Sequence, residues 1–105
     1  MPTPKTKGGS SLKEITRISL DEPKMYHVLL HNDDITTMEF VVMILTQVFC
    51  KSEPAAQEIM LKVHRNGSAI VGTYSYDVAL SRQSKASALA RKEGYPLNIT
   101  IEQAQ

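Results

Sequence analysis

His31-Asn32-Asp33-Asp34-Ile35-Thr36-Thr37-Met38-Glu39-Phe40 joins two segments of different periodicity. Before it, Met25 to Leu30 alternates: Tyr26, Val28 and Leu30 point one way and Met25, His27 and Leu29 the other, the period of a strand. After it, Phe40, Val41, Ile44, Leu45 and Val48 recur at helical spacing, and Val42 and Met43 widen the face. A well-buried helix is therefore expected from about Thr37 to Phe49. Thr36 and Glu39 have the spacing of a capping box, in which the threonine hydroxyl takes an orphan amide and the glutamate reaches back. Asn32, Asp33 and Asp34 then fall on a strand-to-helix turn. Such residues populate turns because their side chains bond nearby backbone, so a purely structural turn is the plain reading. Beside Met38 and Val41, the same acidic cluster also suits a small site that takes a cation next to an apolar group.

Downstream, Ser52 can cap a second helix with Pro54 in its first turn, and Ala56, Ile59, Met60 and Val63 give that helix one apolar side. Met60 and His64 lie four apart and share a side. Asn66-Gly67 ends the helix, because both residues accept left-handed geometry. Ser68 to Thr73, with Ala69, Ile70 and Val71, reads as a short strand. Ser75 is placed to cap a third helix from about Tyr76 to Lys92, with Asp77 in its first turn. Val78, Ala79, Ala86, Leu89 and Ala90 form its narrow apolar stripe; Arg82, Gln83, Lys85, Arg91 and Lys92 form a solvated or partner-facing side. Gly94 stops it, and Pro96 opens a last strand in which Leu97, Ile99 and Ile101 alternate with Asn98, Thr100 and Glu102. The order is β-α-α-β-α-β, an α+β domain with its helices on one face of a small sheet. The domain is expected over residues 24–105. Residues 1–23, rich in Pro, Gly, Ser, Thr and Lys at their start, read as a flexible extension.

The chain has 105 residues, room for one modest core, and 42% of them are apolar, which is ordinary for a globular protein. Its 12 basic and 11 acidic residues leave a net charge of +1, so no global field recruits nucleic acid or an anionic membrane. The start of the chain has no apolar core of a signal peptide, and no apolar run is long enough to span a bilayer. A cytoplasmic protein is expected. The single cysteine, Cys50, excludes an internal disulfide and reads as a small packing residue at the end of an apolar helix.

Enzymatic chemistry finds little support. There is no nucleophile elbow and no glycine-rich phosphate loop. Asp33 and Asp34 are neighbours, so on extended backbone they point apart and cannot face each other as an acid–base pair. His27, His31, His64, Asp33 and Asp34 are the available metal ligands, but none of the recognised ligand spacings occurs. Met38 and Met60 fit core filling as well as a binding face, and His64 fits the C-terminal end of a helix dipole as well as a ligand-facing role.

Three separated blocks change this balance. The run Asn32-Asp33-Asp34-x-Thr36-x-Met38-Glu39-Phe40-Val41, then Met60-Leu61-x-Val63-His64, then Gly67, Gly72 and Pro96-Leu97, closely resembles the ClpS family, the adaptors of bacterial N-end-rule degradation. The resemblance runs from about Pro23 to Glu102 with spacings kept. It implies a three-stranded antiparallel sheet packed by three helices, an architecture shared with the C-terminal domain of the ribosomal stalk protein. It implies a monomeric, non-enzymatic adaptor without metal or cofactor. Such an adaptor binds proteins with N-terminal Leu, Phe, Tyr or Trp and hands them to the N-terminal domain of the AAA+ unfoldase ClpA for degradation by ClpP.

By the same resemblance, Asn32, Asp33 and His64 would grip the substrate's α-amino group, with Asp34 adding field or bracing the turn. Leu30, Thr36, Met38, Val41, Met60, Val63 and Leu97 would line the pocket for the first side chain, Met38 acting as a gate against β-branched residues. Asp77 and Arg82 match positions that touch the unfoldase, and the extension before Pro23 matches the segment needed for delivery. Four residues depart from the family's usual pattern: Ile35 for an aromatic, Thr37 for Pro, Asp77 for Glu and Arg82 for Lys. Two other classes stay open at this point: an interaction module of the same fold that uses only a helix surface, and, more distantly, a metal-dependent hydrolase.

Overall fold

The computed structural model describes residues 24–104; the expected extension over residues 1–23 lies outside them. Six elements follow one another: β1 (Met25–His31), α1 (Met38–Gln47), α2 (Glu53–Asn66), β2 (Ser68–Ser75), α3 (Tyr76–Lys92) and β3 (Asn98–Gln103). The strands form one sheet in the order β2-β1-β3, with β1 central and antiparallel to both neighbours. This is the expected α+β arrangement. The alternation in β1 is also as expected: Val28 and Leu30 are fully buried, while His27, Leu29 and His31 on the opposite face are only half-buried.

The core fills the space between that inner face and the helices. Phe40, Val41, Ile44 and Leu45 enter from α1, Ala56, Met60 and Val63 from α2, and Ala79, Ala86 and Ala90 from α3. Each fully buried side chain of the size of Leu30, Ile44 or Leu45 contributes about 1.5–3 kcal/mol of transfer free energy. The alanines of α3 allow that helix to lie close against the sheet. Val78, read from the sequence as part of the α3 stripe, is exposed instead. It is one residue, about 100° around the helix, from Ala79, which with Ala86 and Ala90 marks the packed side.

The element ends show where local sequence decided and where it did not. Ser52 caps α2, its hydroxyl accepting from the Ala55 amide at 3.3 Å, and Gly67 closes the helix in the left-handed region at φ 89°. Ser75 occupies the cap position of α3 but makes no side-chain capping bond. The expected Thr36–Glu39 capping box does not form. Thr37 is the N-cap of α1, with its hydroxyl accepting from the Phe40 amide at 3.1 Å, and Thr36 is engaged elsewhere. The helix also ends sooner than its apolar pattern, at Gln47. Beyond it, Lys51 N donates to Leu45 O at 3.0 Å across Cys50, which stands at φ 57° where glycine usually closes a helix. Cys50 is exposed, so it is a turn residue and not the packing residue expected.

A bulge marks β2. Its register to β1 pairs Val28 with Gly72 but Leu29 with Ile70, leaving Val71 as the extra residue. The Tyr74 ring lies over Gly72, where an added Cβ would come within 2.5 Å of Tyr74 Oη and the ring would have to shift.

Candidate functional site

The turn after β1 is built around one carboxylate. Asp33 Oδ1 accepts from the amides of Ile35 at 2.8 Å and Thr36 at 2.7 Å, and its Oδ2 accepts from the Thr36 hydroxyl at 2.8 Å. These bonds turn the Thr36 side chain toward Asp33, and the Thr37 hydroxyl is the one that accepts from the helix. Partial burial pushes the Asp33 pKa upward, but the bonds from Thr36 and Ile35 outweigh it and hold the carboxyl below its usual range. The bracing considered for Asp34 therefore belongs to Asp33. Asp34 is exposed on the same turn. A carboxylate has about four acceptor positions, so Asp33 keeps one, on Oδ2, for a further donor.

The end of α2 meets this turn. The Asn32 amide donates to Gly67 O at 2.8 Å, and His31 pairs with Ser68 in the sheet. Gly67 is also the cap of α2, its amide donating to Val63 O at 2.9 Å. One continuous backbone linkage thus seats Asn32 against the last turn of α2, which carries His64. Asn32 and His64 are both exposed. Residues from two distant blocks are in this way brought to one edge of the fold.

The seven predicted pocket residues divide by burial. Leu30, Val41, Met60, Val63 and Leu97 belong to the core cluster, Leu30 and Leu97 being 0% and 1% exposed. Those two can form only the floor of a pocket. Thr36 is half-buried at the turn, and Met38 stands 45% exposed at the N-terminal end of α1.

A groove of about 300 Å³ lies between α1 and α2. Met38 and Met60 line it, and so do Glu39, Val42, Glu53 and Gln57. The sequence reading assigned no binding role to these last four. Their signal was present as spacing: Met38 and Val42 are four apart on one helix, and Glu53, Gln57 and Met60 follow the same rule on the other. Which helical side faces which neighbour is set by packing, and spacing alone does not reveal it.

The two residues expected at an unfoldase contact lie on α3, away from this turn. Asp77 is exposed in its first turn. Arg82 is half-buried; its guanidinium donates to Val48 O and Cys50 Sγ and lies 5.8 Å from the centre of the Tyr74 ring. It therefore ties the C-terminal end of α1 to α3. His27 and His31 are occupied in the sheet, 2.8 Å from Thr73 Oγ1 and Thr100 Oγ1 respectively. Among the described residues no three His, Cys, Asp or Glu side chains converge to hold a metal ion, and no helix is long and apolar enough to cross a membrane.

Comparison with known proteins gives a consistent set of matches. Residues 21–100 match the family model described as ClpS, ATP-dependent Clp protease adaptor protein. The ATP-dependent Clp protease adapter protein ClpS of Clostridium acetobutylicum is 46% identical over 97 residues, spanning 92% of this chain and 94% of that protein. The protein of the same name from Nitratidesulfovibrio vulgaris strain DP4 is 53% identical over 81 residues, spanning 77% and 78%. Among solved structures, Agrobacterium tumefaciens ClpS2 bound to L-phenylalaninamide matches with a TM-score of 0.77 at 40% identity, covering 79% of this chain and 100% of that one.

Proposed function

This chain belongs to the ClpS family, the adaptor proteins of the ATP-dependent Clp protease, and from that premise we propose that it selects proteins by a bulky apolar N-terminal residue. As a ClpS protein it is an adaptor and not an enzyme. Its substrates in this reading begin with Leu, Phe, Tyr or Trp. It passes them, as a cytoplasmic monomer, to the N-terminal domain of a ClpA-type AAA+ unfoldase for degradation by ClpP.

The observation that carries the reading is the Asn32–Gly67 backbone bond. It sets the Asp33 turn and the His64 turn of α2 side by side above an apolar bed. A free α-amino group, with an ordinary pKa of about 7.7–8.0, is mostly cationic at neutral pH. It has three protons to donate. The Asp33 carboxylate, the Asn32 amide oxygen and an unprotonated His64 ring nitrogen are acceptors for them, and Asp34 adds negative field. The first side chain then enters between Thr36, Met38, Val41, Met60 and Val63, over Leu30 and Leu97. The related ClpS2 is bound to L-phenylalaninamide, a molecule with an α-amino group beside an aromatic side chain, which is the same pair of features.

Magnitudes explain why both features are required. Each hydrogen bond to a charged group contributes about 1.5–3 kcal/mol, and burial of a Phe- or Leu-sized side chain about 1.5–3 kcal/mol. Against an association cost of about 4 kcal/mol or more, neither contribution alone leaves a micromolar dissociation constant, about −8 kcal/mol, and the two together approach it at the upper end of their ranges. Delivery uses a different element, with Asp77 and Arg82 on α3 as the unfoldase-facing residues. Asp77 is the more available of the two, since Arg82 already serves the fold.

Fluorescence anisotropy tests the reading with a labelled peptide beginning with Phe and the same peptide acetylated at its N-terminus. Saturable micromolar binding of the free amine, lost on acetylation, is the expected result. Equal binding of both would remove the amine from the mechanism, and no binding to Phe, Leu, Tyr or Trp peptides would overturn the assignment.

A further inference from the structure

Among the described residues, one face of the sheet has no layer packed on it. The helices lie on the inner side, in one core with Val28, Leu30 and Ile99. The register sets Leu29 beside Ile70 on β2 and Thr100 on β3, and His27 beside Thr73 and Glu102, all on the outer side. Met25 and Ile70 are 45% and 48% exposed, and neither they nor Leu29 belongs to the core or packs against it. Met25, Leu29 and Ile70 form an apolar strip on this face, flanked by His27, Thr73 and Glu102. The strip is the width of one extended chain and falls far short of the roughly 20–30 residues a side of a standard protein–protein interface.

The chain that precedes β1 enters at one end of this strip. β1 is the central strand, and its first residue is held from both sides: Met25 pairs with Ser75, and Met25 O accepts from the Ala104 amide at 2.8 Å. On the inner side of that end, Ser75 leads directly into α3, whose Tyr76 ring packs edge-on to the Tyr26 ring with centroids 5.1 Å apart. The inner side is thus taken, and the outer side is open to the residues before Lys24. Pro23 biases Glu22 toward extended backbone. Ile15, Ile18 and Leu20 supply apolar side chains in this segment, and Ile18 and Leu20 share one side of an extended chain. A layer packed on a sheet stands about 10 Å above it, a climb of about three residues at about 3.3 Å each, which residues 22–24 supply. Folding back from there, Leu20 comes over Met25, and Ile18 over Leu29 and Ile70.

We propose that residues 15–22 dock on the outer face of the sheet in the free adaptor, with Ile18 and Leu20 seated on the strip of Met25, Leu29 and Ile70. The tether makes the contact intramolecular. A short linker gives an effective concentration of about millimolar, so a contact of only millimolar intrinsic affinity is already about half occupied. Docking holds back part of the segment that the family resemblance assigns to delivery, so an unfoldase has to displace it before that segment is used. The inference is independent of N-terminal substrate recognition.

Methyl-labelled NMR of the full chain tests the proposal. Nuclear Overhauser cross-peaks are expected from the Ile18 and Leu20 methyl groups to those of Leu29 and Ile70, and they should persist on dilution. The Ile18→Asp/Leu20→Asp double variant alters no residue of the folded domain. In it the cross-peaks should be lost and the amide shifts of Leu29, Ile70, Thr73 and Thr100 should move, while those of Asn32, Asp33 and His64 stay in place. Absence of the cross-peaks in the unaltered chain overturns the proposal, and so do outer-face shifts that the double variant leaves unmoved. Cross-peaks from Ile18 or Leu20 to α1, α2 or α3 also overturn it, by giving the segment another seat. Cross-peaks that vanish on dilution, or that join differently labelled molecules in an isotope-filtered experiment, overturn it in favour of a second copy of the chain on this face.

Discussion

At the scale of the residue, Asp33 has two roles that a single substitution to alanine would confuse. Its carboxylate holds the turn through Ile35 and Thr36, and in the proposed mechanism the remaining acceptor position on Oδ2 meets the substrate amine. Asparagine keeps an oxygen for the two amides but loses the charge. Asp33→Asn should therefore fold and weaken a Phe peptide by about ten- to a hundredfold, whereas Asp33→Ala should lose binding and loosen the turn as well. Anisotropy alongside amide exchange at Ile35 and Thr36 separates the two. The pH dependence follows from the lowered pKa. A carboxylate that the fold holds below its ordinary value, about 3.9 for Asp, stabilises the fold fully above that value. The contribution is lost as pH falls through the lower folded value. Thermal unfolding of the unaltered chain should accordingly lose this increment only in acid, below about pH 4, and the Asp33→Asn variant should lack that part of the acid dependence. A variant with the same acid profile as the unaltered chain would mean that the turn bonds do not depend on the charge.

At the scale of the element, Arg82 connects two helices. The C-terminal end of α1 leaves carbonyls without helical partners, and Val48 O is satisfied by the Arg82 guanidinium from α3. The same side chain approaches the Tyr74 ring on β2. Arg82→Ala should lower unfolding stability by about 1–3 kcal/mol. Lysine should recover only part of it, because an ammonium lacks the planar fork that serves two acceptors and a ring at once. Urea unfolding measures this directly. An unchanged midpoint together with lost unfoldase binding would instead make Arg82 a docking residue alone. The ends of α1 also show how a helix boundary is decided between competing bonds. Thr36 and Thr37 can both cap a helix; the Thr36 side chain is turned toward Asp33, and Thr37 accepts from the Phe40 amide.

At the scale of the whole molecule, recognition and delivery are expected on different surfaces. The proposed substrate site lies where β1, α1 and α2 meet, while Asp77 and Arg82 lie on α3. The family resemblance assigns delivery to the segment before the domain. Removing residues 1–23 should therefore leave binding of a Phe peptide within about twofold, well under the tenfold that 1.4 kcal/mol represents, and abolish the adaptor's stimulation of substrate degradation by the unfoldase–protease pair. Parallel loss of both activities would place part of the substrate site in that segment.

The sequence by itself determined the element order, the inner face of β1 and the buried side of α1, because periods of two and of three to four residues are local consequences of backbone geometry. It also determined the Ser52 and Gly67 caps of α2, since each depends on a single residue's hydroxyl or permitted φ angle. The family was legible from three blocks whose spacing matched together. Tertiary structure alone decided what depends on residues far apart in the chain or on competition among near neighbours. It decided the Asn32–Gly67 bond that joins the two halves of the site. It decided that Thr37 caps α1, the bulge at Val71, and the exposure of Cys50 and Val78. It also set Glu39 and Glu53 on facing helices. Periodicity shows that a residue is on a helical side, but only packing of one element on another shows what that side meets.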